Sequence, residues 1–449
     1  MASLKTADDI VTLAQKSAIS LVRFLFCDTT SIIRGKCTRT DKLKERIESG
    51  IGLVKGTMSM NILDQLQGDT GLGAVGEVRL IPDLETWAVL PYAERTASLI
   101  CDLKELNMTG WDHCPRTLLK KVVDEAKGLG YSFQVSFEPE FTLGTLDENN
   151  FQPIDKSLCF STDGMNRAGK FINRFVDSLE RQGIEVEQYY PELGAGQHEL
   201  SIRHTSPLRA CDRQIQYRET LRGVAFEQNL QAMIAPKPFD DQPGNGCHLH
   251  LSAWDVYQER NLFWADNGLS DFGRFFVAGI LKHLPGLVAL TCPSVNSYRR
   301  LKPRAWSSAY TCWGFENREA AVRVPSVYLG QEMATTNIEL KCVDSSSNPY
   351  LALAAVLAAG LDGVKRQISL PLPVDVDPST LSSSEMEERQ IRRLPETLQE
   401  ALIELEEDEV LMNLLGNFGQ TFISVKTSEC GAFAGANADF ELTQHRTRF

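Results

Sequence analysis

Carboxylates spaced two apart inside strand-forming sequence constrain this chain more than any other feature. The stretch SFQVSFEPEFTLG reads as a strand up to Glu138, and one residue separates Glu138 from Glu140. On an extended backbone, residues two apart point the same way. Two carboxylates on one face repel, and burying them together is costly unless a cation lies between them. The alternative is a solvated strand face, with Phe137 and Phe141 on the other side. The spacing alone does not decide between the two.

The pattern recurs. EVEQYYPELGAGQHELSIR supplies Glu187, Glu192 and Glu199, and a glycine-bearing turn, LGAGQ, separates the last two. A strand–turn–strand would bring both to one place; otherwise they decorate a charged hairpin. In PGNGCHLHLSAW, His248 and His250 share one strand face, as ligands or as structural histidines. Imidazole beside carboxylates suits Zn, Mn or Fe, whereas an oxygen-dominated site suits Mg or Mn. TTNIELKCVD sets Glu339 between two apolar residues, where it needs a partner or marks an edge strand. Together these residues suggest an oxygen-rich site for several metal ions. Phosphoryl transfer uses such ions to neutralise phosphate charge, and arginines alongside them. NSYRRLKPRAW and FENREAAVRVP provide Arg300, Arg318 and Arg323.

The rest of the chain sets the frame. At 449 residues it is long enough for two or more domains. A net charge of −13 argues against a nucleic-acid surface. Val22, Phe24 and Phe26 alternate ahead of DTTS and IIRGK, which reads as a β-hairpin. Residues 1–110 are expected to form a small strand-rich domain, and 111–449 a larger α+β domain. Leu118, Leu119, Val122, Val123 and Ala126 share a helical face that Gly128 and Gly130 end. Residues 371–388 read as a polar, proline-rich loop. The longest apolar helix candidate, Leu351–Leu361, is shorter than the ~18 residues a membrane span needs. The start, MASLKTADDI, lacks a signal-peptide core. Eleven dispersed cysteines without a C-x-x-C pair fit reduced thiols, so a cytoplasmic protein is expected. GLGAVG matches G-x-G-x-x-G, but strand-like EVRLIPDL follows it, where a dinucleotide site needs a helix. There is no Walker A motif.

The ordered motifs EPEF, ELGAGQHE, GNGCHLHLS, NSYRRL, NREAAVRVP and IELKCVDSSSNPYLALAAVLAAGLDG resemble the glutamine synthetase family over nearly the whole chain. The resemblance implies an N-terminal β-grasp domain and a catalytic domain with a curved antiparallel sheet and flanking helices. It also implies a homododecamer or similar ring, with sites shared between neighbours. The implied reaction uses ATP to phosphorylate the glutamate side chain, and an amine then displaces phosphate. By motif, Glu140, Glu192 and Glu199 match one metal site, and Glu138, His248 and Glu339 a second. Two or three Mg²⁺ or Mn²⁺ ions per site are implied. His250, Ser252 and Glu187 match nucleotide contacts. Arg318 and Arg323 match the arginines on the transferring phosphate. Arg300 matches the arginine on the glutamate carboxylate, and Gly244 lies in the glutamate loop.

The departures are as informative. Where the family carries a flap glutamate, this chain reads KPRAW, with Trp306 at that place. Where the family has an aspartate in an FDGSS-like run, the chain reads VKGTMSM, without an acid. Both acids serve ammonium. Two family arginines flanking the metal-binding glutamate are Asn337 and Lys341 here, and lysine cannot repeat a bidentate fork. The tyrosine adenylylated in some bacterial members is absent, QIRRLP standing in its place. Three classes follow: a γ-glutamyl ligase for an organic amine, a glutamine synthetase proper, or a non-catalytic member. The complete ligand set disfavours the third, and Trp306 the second. A long polyamine's second charge finds no obvious acid in the sequence.

Overall fold

The computed structural model describes residues 5–147, 150–266 and 268–449. The opening stretch MASLKTADDI falls partly outside them.

Helix α1 (Ala7–Lys16) starts on a capping box between Thr6 and Asp9. Strands β1 (Leu21–Cys27) and β2 (Ile33–Arg39) form the expected hairpin, Leu21 opposite Arg39. The Asp28 carboxylate holds its turn by accepting from the Thr30 and Ile32 N–H groups. After α2 (Leu43–Ser49), strands β3 (Ile51–Val54), β4 (Glu77–Val89) and β5 (Thr96–Lys104) complete a five-stranded sheet. Its order is β2-β1-β5-β4-β3, and only β1 and β5 run parallel. GLGAVG runs straight into β4, so it opens a strand and not a nucleotide-binding helix.

The larger part follows. Helix α3 (Pro115–Gly128) matches the expected apolar face, and the chain then turns at Gly130 with φ +88°. Next come β6 (Tyr131–Asp147), β7 (Asn150–Pro153), α4 (Thr162–Glu180), β8 (Val186–Pro191), β9 (Gln197–Ile202), α5 (Pro207–Glu227), β10 (Gln231–Met233) and β11 (Cys247–Asp255). A small hairpin, β12 (Trp264–Ala265) and β13 (Gly268–Leu269), leads to α6 (Asp271–Thr291), then α7 (Ser297–Arg300) and β14 (Trp313–Phe315). The last strands, β15 (Val322–Val324) and β16 (Ile338–Leu340), flank α8 (Glu332–Thr335) and precede α9 (Pro349–Arg366). The main sheet runs β14-β15-β16-β11-β6-β9-β8, with β7 and β10 also pairing to β6.

One alternation organises this sheet. On β6, Phe133, Val135, Phe137, Phe141 and Leu143 are buried, and the residues between them are Gln134, Ser136, Glu138, Glu140 and Thr142. On β11, Cys247, Leu249, Leu251 and Ala253 are buried between His248, His250, Ser252 and Trp254. The apolar side meets α3, α6 and α9 in one core, and α4 and α5 in another. The polar side is left for chemistry.

Helix α9 begins as the sequence suggests: Asn348 caps it, accepting from the Tyr350 and Leu351 N–H groups, with Pro349 in the first turn. It packs against α6 almost backbone to backbone. A Cβ on Gly363 would lie 2.1 Å from the Phe275 carbonyl oxygen, so only glycine fits there.

Two expectations need correction. The membrane reading overlooked α6, a 21-residue helix long and apolar enough to cross a bilayer; 83% of its most apolar 18-residue window is buried inside the protein, as in a core helix. The segment 371–388 is not loop throughout. It contains a short helix, Ser383–Glu388, started by a capping box between Ser382 and Glu385. All eleven cysteines are free.

Candidate active site

Interior strand positions gather the carboxylates. Glu138 stands opposite His248, and Glu140 opposite Glu199, so β6 carries one acid toward each neighbouring strand. On the far side of β11, His250 stands opposite Glu339, and Glu339 opposite Arg323. β16 is therefore an interior strand, and Glu339, 1% exposed, is no edge-strand charge. Glu192 follows β8 at the turn of the β8–β9 hairpin, whose Glu192 N–H donates to the Gln197 carbonyl.

The side chains converge. Ligand atoms of Glu138, His250 and Glu339 lie within 4.8 Å of one another, a spacing that suits a metal ion, so His250, expected on the nucleotide, stands in this group where His248 was expected. His250 Nε2 is 3.1 Å from Glu138 Oε2 and 3.9 Å from Glu339 Oε1. His248 Nδ1 is 3.2 Å from Glu339 Oε1, so both imidazoles reach the same carboxylate. Asn337 Oδ1 lies 2.9 Å from the other His250 nitrogen and orients the ring. Arg323 Nε approaches Glu339 Oε2 to 2.8 Å without hydrogen-bond alignment, and Lys341 Nζ is 3.5 Å from Oε1.

Arg300 is buried. Its Nη2 donates to the Lys341 carbonyl and lies 3.3 Å from His248, and its Nη1 has no protein partner. Gly244 and Gly246 bring the loop before β11 against it. A Cβ on Gly246 would stand 2.8 Å from Arg300 Nη2 and His248 Nε2, and 2.9 Å from Glu140 Oε1. A cradle that a single methyl would fill, lined by polar atoms and adjoining the unpartnered Arg300 Nη1, fits small hard ligands.

The electrostatics divide the cluster. Burial, reinforced by Glu140, pushes Glu192 up to about 7. Burial and the neighbouring acids Glu138 and Glu140 hold Glu199 well above the usual carboxylate range. Burial also raises Glu140, against the pull of Arg300. For these three acids burial and mutual repulsion outweigh the nearby positive charges, and oxygen-only ligands of this kind suit Mg²⁺ or Mn²⁺. The other group is balanced. Burial opposes the ionisation of Glu138 and Glu339, but His250 outweighs it for the first, and Lys341 and His248 for the second. Burial holds His248 down to about 4, leaving a neutral imidazole that can act as a ligand. Burial opposes protonation of His250 too, yet Glu138 lifts it to about 9.

The remaining expected residues lie on strands and in turns. Ser252 is buried on β11, where its Oγ accepts from Trp254 Nε1. Glu187 is exposed on β8. Arg318 is exposed in the turn before β15, and Arg323 lies on that strand. Trp306 is 58% exposed on a segment where Arg304, Trp306 and Ser308 all take positive φ. Of the methionines of GTMSM, Met58 is buried in the main core and Met60 is half-buried. Three residues escaped the sequence reading. Gln197 donates to Glu140 Oε2 at 2.6 Å and to the Gly244 carbonyl, tying two loops to a ligand. Its position two before Glu199 was the available signal. Tyr190 donates to Glu199 across the hairpin, a pairing that depends on register. Glu319 accepts the Trp306 N–H.

The glutamine synthetase N-terminal domain profile matches residues 5–113, and the glutamine synthetase catalytic domain profile matches residues 112–445. The γ-glutamylpolyamine synthetase GlnA3 of Streptomyces coelicolor is 34% identical over 432 residues, covering 94% of this chain and 92% of that protein. The glutamine synthetase of Methanocaldococcus jannaschii is 32% identical over 455 residues, covering 96% of each. Among solved structures, a novel glutamine synthase homolog superposes with a TM-score of 0.86 at 32% identity over all of both chains. A GmaS/ADP complex gives 0.85 at 29% identity, covering 96% of this chain and 98% of that one. The chain belongs to the glutamine synthetase family of ATP-dependent glutamate–amine ligases.

Proposed function

We propose that this ligase joins an organic amine, rather than ammonium, to the γ-carboxyl of glutamate through a γ-glutamyl phosphate. The observation that carries this reading is Trp306, an indole where the family resemblance calls for an ammonium-binding glutamate. An indole face attracts a cation by only ~0.5–2 kcal/mol. It rewards alkyl groups instead, at roughly 0.8 kcal/mol per buried CH₂. The likeness to a γ-glutamylpolyamine synthetase supports the same reading.

In this scheme Glu140, Glu192 and Glu199 hold one divalent ion, and Glu138, His248 and Glu339 another. Bound Mg²⁺ or Mn²⁺ would neutralise the phosphates of ATP. Arg300 and the Gly244 loop take the glutamate, Lys341 standing where an arginine fork is usual. Glu187, His250 and Ser252 line the nucleotide. Arg318 and Arg323 face the transferring phosphoryl group, and the cleft keeps water from the acyl phosphate. The site is completed by a neighbour's residues 1–110 in a ring, so light scattering should give a mass many times that of one chain; a fully active monomer would refute the ring.

The test is kcat/KM for ammonium, methylamine, ethylamine, ethanolamine, isopropylamine and putrescine, with ATP and glutamate saturating. At least one organic amine should exceed ammonium. The alternative, a glutamine synthetase proper, is favoured by relatives of that name at 31–32% identity; ammonium surpassing every amine would establish it.

A further inference from the structure

Resting on the amine-ligase reading, we propose that Glu319 is the amine-site acid: it binds the cationic nitrogen of the incoming amine in place of the missing flap glutamate.

Glu319 sits in the turn between β14 and β15, one residue past Arg318 and four before Arg323. In sequence it looks like an ordinary solvated charge. In the fold it is half-buried and faces the segment that carries Trp306, whose backbone N–H donates to Glu319 Oε1 at 2.9 Å. The Arg304 N–H also helps hold this carboxylate ionised, and a carboxylate, with about four lone-pair sites, keeps acceptor capacity for a ligand beside these two backbone donors. The turn is rigid. Asn317 Oδ1 accepts the Glu319 N–H, and Asn317 Nδ2 donates to the Val374 and Val376 carbonyls. On the other side, Ser308 Oγ donates to the Ala320 carbonyl, and the Lys341 N–H to the Ala321 carbonyl. Glu319 is thus fixed between the Trp306 segment and the strand pair that carries Arg323, Glu339 and Lys341.

Its surroundings also suit a cation. Burial raises its proton affinity, while the Trp306 N–H and the charge on Lys341 oppose that rise. Lys341 is itself paired with Glu339, its Nζ 3.5 Å from Oε1. A half-buried carboxylate positioned by backbone donors, with acceptor capacity left, is a ready acceptor for an N–H⁺ donor. The acid has moved from the flap to the turn beneath it, and Trp306 occupies the vacated position. An acid there with an apolar wall above it recognises a nitrogen cation bearing an alkyl group.

The test compares wild type, Glu319→Gln and Glu319→Asp by phosphate release. Gln keeps an acceptor for the Trp306 N–H and removes the charge. KM is measured for ammonium, ethylamine and putrescine, and separately for glutamate and ATP. Hydroxylamine, uncharged at neutral pH, serves as a nucleophile that needs no acid. Glu319→Gln should raise KM for every cationic amine about tenfold or more, the scale of one lost charged hydrogen bond. Hydroxylamine, glutamate and ATP should change by less than about twofold, and Glu319→Asp should recover part of the loss. An unchanged KM for cationic amines, or an equal loss with hydroxylamine, overturns the proposal. If ammonium proves the best substrate of the wild type, the organic-amine reading fails, but ammonium still reads out Glu319.

Discussion

The metal face and the Trp306 segment lie side by side and are built in opposite ways. On the metal face, Glu138, Glu140, Glu199, His248, His250, Glu339 and Arg323 sit on interior strands, and ladder register fixes each one. The segment 302–308 has no ladder. It holds three non-glycine residues at positive φ, each costing on the order of 1–3 kcal/mol. Side-chain bonds keep it in place: Glu319 to the Trp306 N–H, Ser308 to the Ala320 carbonyl, and Ser307 Oγ to the Arg300 carbonyl. The first region carries five of the six ligands that the family resemblance implies, Glu192 lying in the β8–β9 turn beside it; the second departs from the family. In the proposed scheme the residues for phosphoryl transfer are held by strand register, and the amine end by a few side-chain bonds.

If that division is sound, damage to the two regions should be distinguishable. Glu140→Ala should have the largest effect, cutting glutamate-dependent ATP turnover by at least about a hundredfold, the scale of losing one electrostatic stabiliser. Its circular dichroism should match wild type, because Glu140 lies on the polar side of β6. Turnover near wild type would remove Glu140 from the ligand set. Arg323→Lys comes next. It loses the planar fork beside Glu339 and should lower kcat about tenfold with every amine alike; a change confined to one amine would blur the boundary between the regions. Trp306→Glu should act on the amine alone, shifting the ammonium-to-ethylamine ratio of kcat/KM about tenfold toward ammonium. A ratio that stays put would show that the indole does not select the amine.

The smallest effect belongs to a control remote from both. His283 on α6 is pinned between Asp408 at 2.6 Å and Asp362 at 3.1 Å. Burial opposes its protonation, but the two carboxylates raise its pKa above the ordinary value, while Asp408 is held below its own. A raised folded-state pKa adds stability that is complete below about 6.5 and fades as pH rises through the folded value. Stability to urea should therefore fall as pH rises above about 6.5, and His283→Gln should flatten that decline while sparing kcat/KM for all amines. An identical slope in the variant would dismiss the ion pair.

Much of this was readable from spacing. Glu138 and Glu140 two apart, and His248 and His250 two apart, placed each pair on one strand face, because a strand alternates with period two. Asn348 and Pro349 announced the start of α9 through capping chemistry. Glu339 was harder. A lone acid between Ile338 and Leu340 reads equally as an edge charge until pairing puts β15 on one side and β11 on the other. Tyr190 depends on hairpin register and Glu319 on a contact between two irregular segments, and neither leaves a local signal. Helix α6 was missed because Lys282, His283 and Pro285 interrupt an apolar run that the helix nevertheless continues through.

The alternation along β6 works as a reading frame in space. Its odd positions belong to the cores and its even positions to the cleft. One residue inserted between Val135 and Glu138 would turn both acids toward the helices and both flanking phenylalanines toward solvent. A substitution in frame, by contrast, edits one letter of one face. Lineages of such proteins should therefore tolerate exchanges along this strand yet hold its length fixed, and record their insertions in the connections beyond it.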